Sequence, residues 1–266
     1  MKNFSYFALL TSLSVPLHAE PITFGVVPQH SASKLAKQWA PIIEYLSEAT
    51  GKKIQFSTAS DIPTFEKRLK NGEYDIAYMN PYHYTVFSET TGYSAIAKAR
   101  DKQLKGIIVV RTDSDISRPE HLNNAQLAFP SPAAFAATVL TQAYLQHNHI
   151  TFEPSYVSSH DSVYLAVAKG FFPAGGGIIR TYMALPEETR QKLTPIWTTK
   201  GYTPHAIAVH PNLNNEVKNK IQQALMGFGV TPEGLAHLET LKLKGFVSAQ
   251  DSDWNDVRAL NIKLLD

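Results

Sequence analysis

The sequence predicts an α/β fold, because short apolar segments with strand character alternate with amphipathic segments of helical period along the chain. Residues 22–27 form an apolar run that stops at Pro28, and residues 33–49 then carry apolar side chains at spacings of three and four. No internal repeat or low-complexity stretch interrupts this alternation. The pattern therefore favours sheets flanked by helices.

The predicted strands are short runs of apolar residues that are bounded by polar or turn-forming residues. A glycine-rich run that leads into Ile178 and Ile179 is included among them, because the isoleucines continue it in strand character. The predicted strands cover residues 22–27, 53–57, 76–79, 94–100, 105–111, 125–129, 154–157, 175–179, 193–199 and 205–210.

The predicted helices are recognised by their apolar period and by residues that begin or end a helix. Ser31 or Ser33 is the expected N-cap of the first helix, and Gly51 is its stop. Asp61 is the expected N-cap of the second helix, and Gly72 ends that helix in a left-handed conformation. The predicted helices cover residues 33–49, 61–70, 82–89, 133–146, 162–169, 215–226 and 232–241, and residues 254–264 form a tail.

Composition limits the class of protein. A length of 266 residues with 44% apolar and 18% charged residues suits one large domain or two lobes, and argues against disorder. A formal charge of +2 argues against nucleic acid as the main partner. The absence of cysteine excludes a disulfide framework, a thiolate metal site and a cysteine nucleophile.

Residues 1–19 have the pattern of a cleavable signal peptide. Lys2 supplies a positive start, and residues 4–17 supply an apolar segment that is too short to span a bilayer. We expect cleavage after Ala19, a periplasmic location and no membrane anchor.

Residues 75–84 are the most informative stretch for function. The apolar run 76–79 ends at Pro81, which cannot donate to a strand ladder and which suits the start of a helix. A buried strand would thus bring Asn80 and Tyr82 to its carboxyl end. Open α/β sheets bind their ligands at that edge.

This stretch does not stand alone. Gly25-Val26-Val27-Pro28 precedes it, and Phe129-Pro130-Ser131 and Ser159-His160-Asp161-Ser162 follow it at a characteristic spacing. In this order the motifs resemble the periplasmic solute-binding proteins of ABC transporters, in the phosphate, phosphite and phosphonate (PhnD-like) branch. The resemblance implies a type II periplasmic-binding-protein fold, with two α/β lobes joined by a hinge of two crossings. It places residues 20–110 and 206–266 in lobe 1 and residues 111–205 in an inserted lobe 2.

The resemblance also implies a small oxyanion as the ligand, held in part at helix starts. Ser131 is expected to donate to it, with Ala133 and Ala134 as further candidates through their backbone N–H groups. Pro132 and the two alanines depart from the hydroxyl cluster of the family. An ordinary capped helix is the alternative here.

A second helix start is expected at His160, which in the family contacts the oxyanion. Ser162 can add a hydroxyl to the same ligand. The alternative is that Ser159 or Asp161 caps this helix and that His160 is solvated. Asn80 and Tyr82 are expected to orient the ligand.

The glycine run Gly175 to Gly177 and Arg180 are a second departure from the family, which often has an acidic residue near this point. Gly176 and Gly177 are candidates for an anion-binding backbone nest, and Arg180 for a charged contact. A tight turn with Arg180 in a surface ion pair is the alternative. Gln29 and His30 are further candidates at the same crevice edge, with capping of the following helix as the alternative, and His205 either lines the cleft or braces the hinge.

Catalysis and metal binding find no support in the sequence. No pair of histidines has metal-ligand spacing on a convincing helix face, and no Gly-x-Ser-x-Gly motif occurs. We therefore expect a monomeric binding protein without cofactor or metal, which delivers its ligand to an ABC-transporter permease. A partner of a periplasmic sensor kinase and an enzyme on the same fold are the alternatives. Phosphate, phosphite, a phosphonate and a small carboxylate all fit the expected donors.

Overall fold

The computed structural model describes residues 20–265, so the predicted signal peptide lies outside the described part. Within these residues the strands form two separate sheets, one of six strands and one of five. The strands are β1 Ile22–Val26, β2 Ile54–Ser57, β3 Ile76–Met79, β4 Ser94–Ala99, β5 Gly106–Arg111, β6 Ala125–Phe129, β7 Phe152–Tyr156, β8 Ala174–Ile178, β9 Leu193–Thr198, β10 Ala206–Val209 and β11 Phe246–Ser248.

Helices connect the strands, as the alternation in the sequence predicts. The helices are α1 Ala32–Thr50, α2 Ile62–Lys70, α3 Pro81–Thr90, α4 Leu140–His147, α5 His160–Ala168, α6 Ile179–Met183, α7 Glu187–Arg190, α8 Asn215–Gly227, α9 Pro232–Thr240 and α10 Asn255–Arg258. Single turns of 3₁₀ helix occupy Pro119–Leu122 and Asp251–Trp254, and one π-helical turn, Phe135–Val139, leads directly into α4.

The predicted helix boundaries are confirmed where a capping residue was identified. Ser31 caps α1, with its hydroxyl accepting from the backbone N–H of Lys34, and Gly51 ends that helix with a φ of 66°. Asp61 caps α2 by accepting from the N–H of Thr64 at 2.8 Å. These residues satisfy backbone groups that a helix end leaves free, which is why they predict the ends well.

The two sheets mix parallel and antiparallel pairs. The first has the strand order β11-β4-β10-β3-β1-β2, and the second has the order β7-β6-β8-β5-β9. In the first sheet β1 is parallel to both β2 and β3, whereas β10 is antiparallel to β3 and β4. The carboxyl ends of β1 and β3 therefore meet at one edge, next to the amino end of β10.

The chain crosses between the sheets twice, and the two crossings are bonded to each other. Leu104 on the outward crossing donates its N–H to the carbonyl of Tyr202 at 2.8 Å and accepts from the N–H of Tyr202 at 3.0 Å. Strand β5 belongs to the second sheet, so the outward crossing lies before Gly106 and the lobe boundary predicted at residues 110 and 111 is too late. The apolar pattern of residues 105–111 predicts a strand but does not show which sheet the strand joins, because the pattern does not identify its partner strands.

Packing in the second lobe follows the alternation of β5. Ile107 and Val109 face α5, where they meet Val163, whereas Ile108 and Val110 face the opposite core. The first lobe has a larger core, and residues 133–137 of the second lobe pack into it. The lobes are thus in direct contact in this structure.

Several short elements escaped the sequence analysis, and one helix starts differently from its prediction. Helices α6, α7 and α10, strand β11 and the two 3₁₀ turns have five residues or fewer, too few to show a period. The helix predicted at 133–146 begins with the wider π turn at Phe135–Val139. Within residues 20–265, no helix combines the length and the apolar character needed to cross a membrane.

Candidate ligand-binding site between the lobes

Helix starts from both lobes meet where the lobes touch. The starts of α2 and α3 and the segment before α1 come from the first lobe, and the Phe135–Val139 turn and the start of α5 come from the second. They enclose a buried cavity of about 10 Å³, close to the room that one water molecule needs. The lining residues are Val27, Gln29, Ile62, Asn80, Leu104, Ala134, Phe135, Ala136, Ala137, His160, Ile178 and His205. Because helix starts carry partial positive charge, this meeting point favours an anion.

The turn at Phe135–Val139 presents free backbone donors to this cavity. Among the described residues, the N–H groups of Phe135, Ala136 and Ala137 have no acceptor. The first N–H groups of any helix lack partners within the helix, so they are satisfied by water, a side chain or a ligand. Here they lie beside the cavity and can donate to an oxyanion.

Buried side chains close to these donors also lack partners. Ser131 and Thr138 are each 1% exposed and His160 is 3% exposed, and Oγ of Ser131, Oγ1 of Thr138 and Nδ1 of His160 have no hydrogen bond within the described residues. A buried polar atom without a partner costs about 1–3 kcal/mol, so each of these atoms calls for an explanation. His160 lines the cavity, so a ligand there would supply the missing partner of its ring.

His160 is neutral in this closed arrangement. Burial, helped by the nearby charges of His30 and Arg180, lowers the pKa of His160 to about 3. A neutral imidazole still has one N–H to donate. An anion placed beside the ring would favour protonation and raise this pKa again.

Asn80 lines the cavity but is already bonded on both sides. Its Oδ1 accepts from the N–H of His83 at 2.8 Å, which caps α3, and its Nδ2 donates to the carbonyl of Ala133 at 3.2 Å. The second bond joins the two lobes. Nε2 of His83 lies 2.9 Å from a carboxylate oxygen of Glu66 and donates its N–H to it. The ring nitrogen is therefore not free to accept a hydrogen bond from Asn80.

A chain of hydrogen bonds connects the second lobe with the hinge. Arg180 donates to Oε1 of Gln29, and Nε2 of Gln29 lies 3.0 Å from Nε2 of His205. Because the amide nitrogen can only donate, His205 accepts and carries its proton on Nδ1. Burial, with the charge of Arg180 next, holds the pKa of His205 well below its ordinary value, in agreement with this neutral form.

The ring of Tyr78 lies against both ends of this series of hydrogen bonds. The ring of Tyr78 stacks on His205 with centroids 5.0 Å apart, and the guanidinium of Arg180 lies 5.9 Å from the same ring. Both contacts orient the polar groups above the ring. The residue was predicted only as part of a buried strand, because nothing in the apolar run 76–79 marks its position at the site.

An ion pair between the lobes closes the outer edge of the site. Nδ1 of His30 lies 2.7 Å from one carboxylate oxygen of Asp161, and Nζ of Lys34 lies 3.4 Å from the other. At 2.7 Å His30 must donate to Asp161, so its Nδ1 cannot also accept from Lys34. Burial opposes the effect, but the bonds and charges of His30 and Lys34 lower the pKa of Asp161, which stays ionised.

Tyr82 and Ser162 do not join the site in this structure. The hydroxyl of Tyr82 accepts from the N–H groups of Leu264 at 2.7 Å and Leu265 at 3.0 Å, so it holds the C-terminal tail against α3. Its place in the motif predicted a ligand contact, but on a helix the ring points away from the strand edge. Ser162 bonds the hydroxyl of Ser159 at 2.9 Å within the cap of α5.

The anion nest predicted for Gly175, Gly176 and Gly177 is wrong. These glycines lie in strand β8, in register with Val109, Ile108 and Ile107 of β5. A nest needs successive N–H groups that converge on one point, whereas those of a strand alternate in direction. Their role is close packing: a Cβ on Gly176 would lie 1.9 Å from the carbonyl oxygen of Ala137.

A family of known proteins matches most of the chain. The family described as "ABC transporter, phosphonate, periplasmic substrate-binding protein" matches residues 24–254. The chain belongs to this family. Membership confirms the resemblance drawn from the motifs and implies a periplasmic location, while the predicted cleavage after Ala19 remains a prediction.

Curated relatives of this family member share about a quarter of its residues. The phosphonates-binding periplasmic protein of Escherichia coli is 25% identical over 281 aligned positions, which span 96% of this chain and 81% of the relative. The phosphate-import protein PhnD of Mycolicibacterium smegmatis is 23% identical over 272 positions, which span 90% and 84%. These relatives are named as binding or import proteins.

Solved structures of similar proteins confirm the predicted type II fold. A binding protein of an ABC phosphonate transporter from Pseudomonas aeruginosa superposes with a TM-score of 0.84 at 19% identity, over 91% of this chain and 86% of that one. PhnD1 from Prochlorococcus marinus, solved with methylphosphonate, gives a TM-score of 0.81 at 17% identity over 90% and 98%. At these identities the likeness establishes the fold alone.

Proposed function

We propose that this phosphonate-family binding protein captures a small phosphorus oxyanion of the phosphonate or phosphate type between its lobes and delivers it to an ABC transporter. The observation that carries the proposal is the unpartnered Nδ1 of His160 beside the free N–H groups of Phe135, Ala136 and Ala137. Buried donors that converge without an internal acceptor suit an anion that enters from outside.

In the proposed complex each lobe supplies different contacts. Ser131, His160 and the N–H groups of the Phe135–Val139 turn donate to the oxyanion from the second lobe. Gln29 and Asn80 complete the site from the first lobe, and Arg180 contributes positive charge. Exclusion of water strengthens each of these bonds.

Binding requires the lobes to separate and close again. A cavity of about 10 Å³ is too small for a tetrahedral oxyanion, so the contacts across the lobe interface must open to admit it. Motion about the paired crossings at Leu104 and Tyr202 is the expected hinge movement. The ligand would then replace contacts such as that between Arg180 and Gln29.

Isothermal titration calorimetry tests the proposal. The protein from residue 20 onward is unfolded and refolded to remove carried-over ligand, and is titrated with phosphate, phosphite, methylphosphonate and sulfate. We expect binding of at least one phosphorus oxyanion, and a loss of about 10- to 100-fold in affinity for His160→Ala, because a hydrogen bond to a charged group is lost.

The matched control is His147→Ala, which changes an exposed histidine at the end of α4. It should leave the affinity unchanged. Absence of binding to every oxyanion would contradict the proposal, as would equal affinity of the His160→Ala variant and the wild type. Turnover of phosphate esters that disappears in His160→Ala would support an enzyme instead.

Delivery to a transporter needs a separate experiment in cells. Uptake of the bound oxyanion should fall when the protein is deleted and return when it is restored. Uptake that persists without the protein, although the purified protein binds the ligand, would favour the alternative of a sensor partner.

A further inference from the structure

A second and larger cavity adjoins the candidate site on its hinge side. It has a volume of about 280 Å³, near the lower end of about 300 Å³ for typical ligand pockets, whereas the inner cavity has about 10 Å³. The two cavities share Leu104 and His205. The other lining residues include Arg180, whose guanidinium also borders the inner site.

The charged residues of this larger cavity are all basic. Lys102 and Lys105 come from the outward crossing and Lys242 from the turn after α9, so lysines approach it from both lobe 1 and the hinge. Within residues 20–265, none of these three lysines makes an ion pair, and no acidic residue lines the cavity. Several cations without counter-ions around one space attract an anionic group and repel an amine.

The rest of the wall is apolar. Tyr78, Met183 and Leu243 offer surface that suits carbon atoms, and Leu104 lies where the two cavities join. An inorganic oxyanion held at the inner site would leave this space unused. A ligand with a short carbon chain would extend into it past His205.

We propose that the preferred ligand is an organic phosphonate or phosphate ester whose carbon chain ends in a second anionic group. Its phosphorus oxyanion occupies the inner site, and its second anionic group lies among Lys102, Lys105 and Lys242. This inference rests on the proposed function and assigns the larger cavity as the subsite that determines specificity.

Three phosphonates of matched chain length test the proposal by calorimetry, with methylphosphonate as the reference. Propylphosphonate has a neutral end, 3-phosphonopropionate a carboxylate and 2-aminoethylphosphonate an ammonium group. We expect 3-phosphonopropionate to bind about tenfold more tightly than propylphosphonate, because several unpaired cations act on one carboxylate. The aminated ligand should bind more weakly than propylphosphonate.

A triple variant assigns the preference to the cavity. Lys102→Gln, Lys105→Gln and Lys242→Gln together should equalise the affinities for 3-phosphonopropionate and propylphosphonate, and leave methylphosphonate binding unchanged. The matched control combines Lys53→Gln, Lys67→Gln and Lys70→Gln, three exposed lysines that do not line this cavity, and has the same change in net charge. It should keep the preference.

The outcomes separate the two proposals. If methylphosphonate binds but the carboxylate brings no preference, or if both triple variants lose the preference equally, the lysine subsite is overturned and the proposed function stands. If none of the four phosphonates binds, the lysine subsite is overturned, and the proposed function stands or fails on the separate titrations with phosphate and phosphite.

Discussion

At the scale of single residues, the site depends on imidazoles that are buried and neutral. Burial is the main cause that lowers the pKa of His30, His160 and His205, and the charge of Arg180 adds to it in each case. The hydrogen bond to Asp161 opposes this effect for His30. These rings can therefore offer N–H donors to a ligand at neutral pH without carrying a charge in its absence.

A pH dependence of stability follows from the depressed pKa of His160. Between its ordinary value of 6.5 and its folded value of about 3, the unfolded chain binds a proton that the folded protein does not. Stability must therefore fall as the pH falls through this window, by at most about 1.4 kcal/mol per pH unit for each such histidine. Urea denaturation of the ligand-free protein between pH 7 and pH 5 should show this loss.

The variant His160→Gln should show a shallower decrease over the same range, because it removes one of the titrating groups. His147→Gln, at an exposed position, should keep the slope of the wild type. Asp161 does not confuse the result, since its lowered pKa keeps it ionised throughout this range. Identical slopes for His160→Gln and the wild type would show that His160 titrates normally in the folded protein.

At the scale of elements, strand β8 decides how close the second lobe's helices come to its sheet. Its glycines leave room for the carbonyl of Ala137 on the Phe135–Val139 turn and for the hydroxyl of Tyr164 on α5. The free N–H groups of that turn reach the site because the turn lies directly on the strand. The glycines that were predicted to contact the ligand thus instead make room for the turn whose N–H groups face the site.

The variant Gly176→Ala should destabilise the protein severely. Its Cβ would lie 1.9 Å from a backbone oxygen, so the turn or the strand must move, at a cost of about 3 kcal/mol or more. Gly227→Ala is the matched control, since its Cβ has only the hydroxyl of Tyr45 near it, at 3.4 Å, and alanine favours the helix. Urea denaturation would measure both, and equal stability of the two variants would contradict the packing role.

At the scale of the whole molecule, polar contacts between the lobes accompany the apolar packing of residues 133–137 against the first lobe. Asp161 contacts His30 and Lys34, and Asn80 donates to the carbonyl of Ala133, and all of these contacts cross between the lobes. The ion pair of Asp161 with Lys34 is partly exposed, so it contributes modestly. A closed form that rests on such contacts can open without unfolding either lobe.

The variant Asp161→Asn should shift the ligand-free protein towards open forms, because it removes the ion pair with Lys34 and weakens the hydrogen bond from His30 across the interface. Small-angle X-ray scattering should then report a larger radius of gyration. Asp113→Asn is the control, since Asp113 pairs with Arg111 within the second lobe at 2.6 Å and should leave the radius unchanged. An unchanged radius for Asp161→Asn would mean that this pair does not hold the lobes closed.

Much of the fold and part of the candidate site could be predicted from the sequence. Helix ends were well predicted at Ser31, Gly51 and Asp61, because capping is a local interaction between near neighbours. The edge that carries Asn80 was predictable from the proline that stops its strand. The contacts that Tyr82 makes in this structure could not be predicted, because its partners, Leu264 and Leu265, are far away in the chain.

The α/β class, the order of the longer elements and the family could be predicted from the chain alone, since these depend on local period, on caps and on motif spacing. The folded structure was needed to show that β5 belongs to the second sheet, that Asp161 meets His30 and that three lysines border one cavity. Strand partners and charge clusters join residues separated by tens to hundreds of positions. Such contacts leave no periodic trace in the sequence.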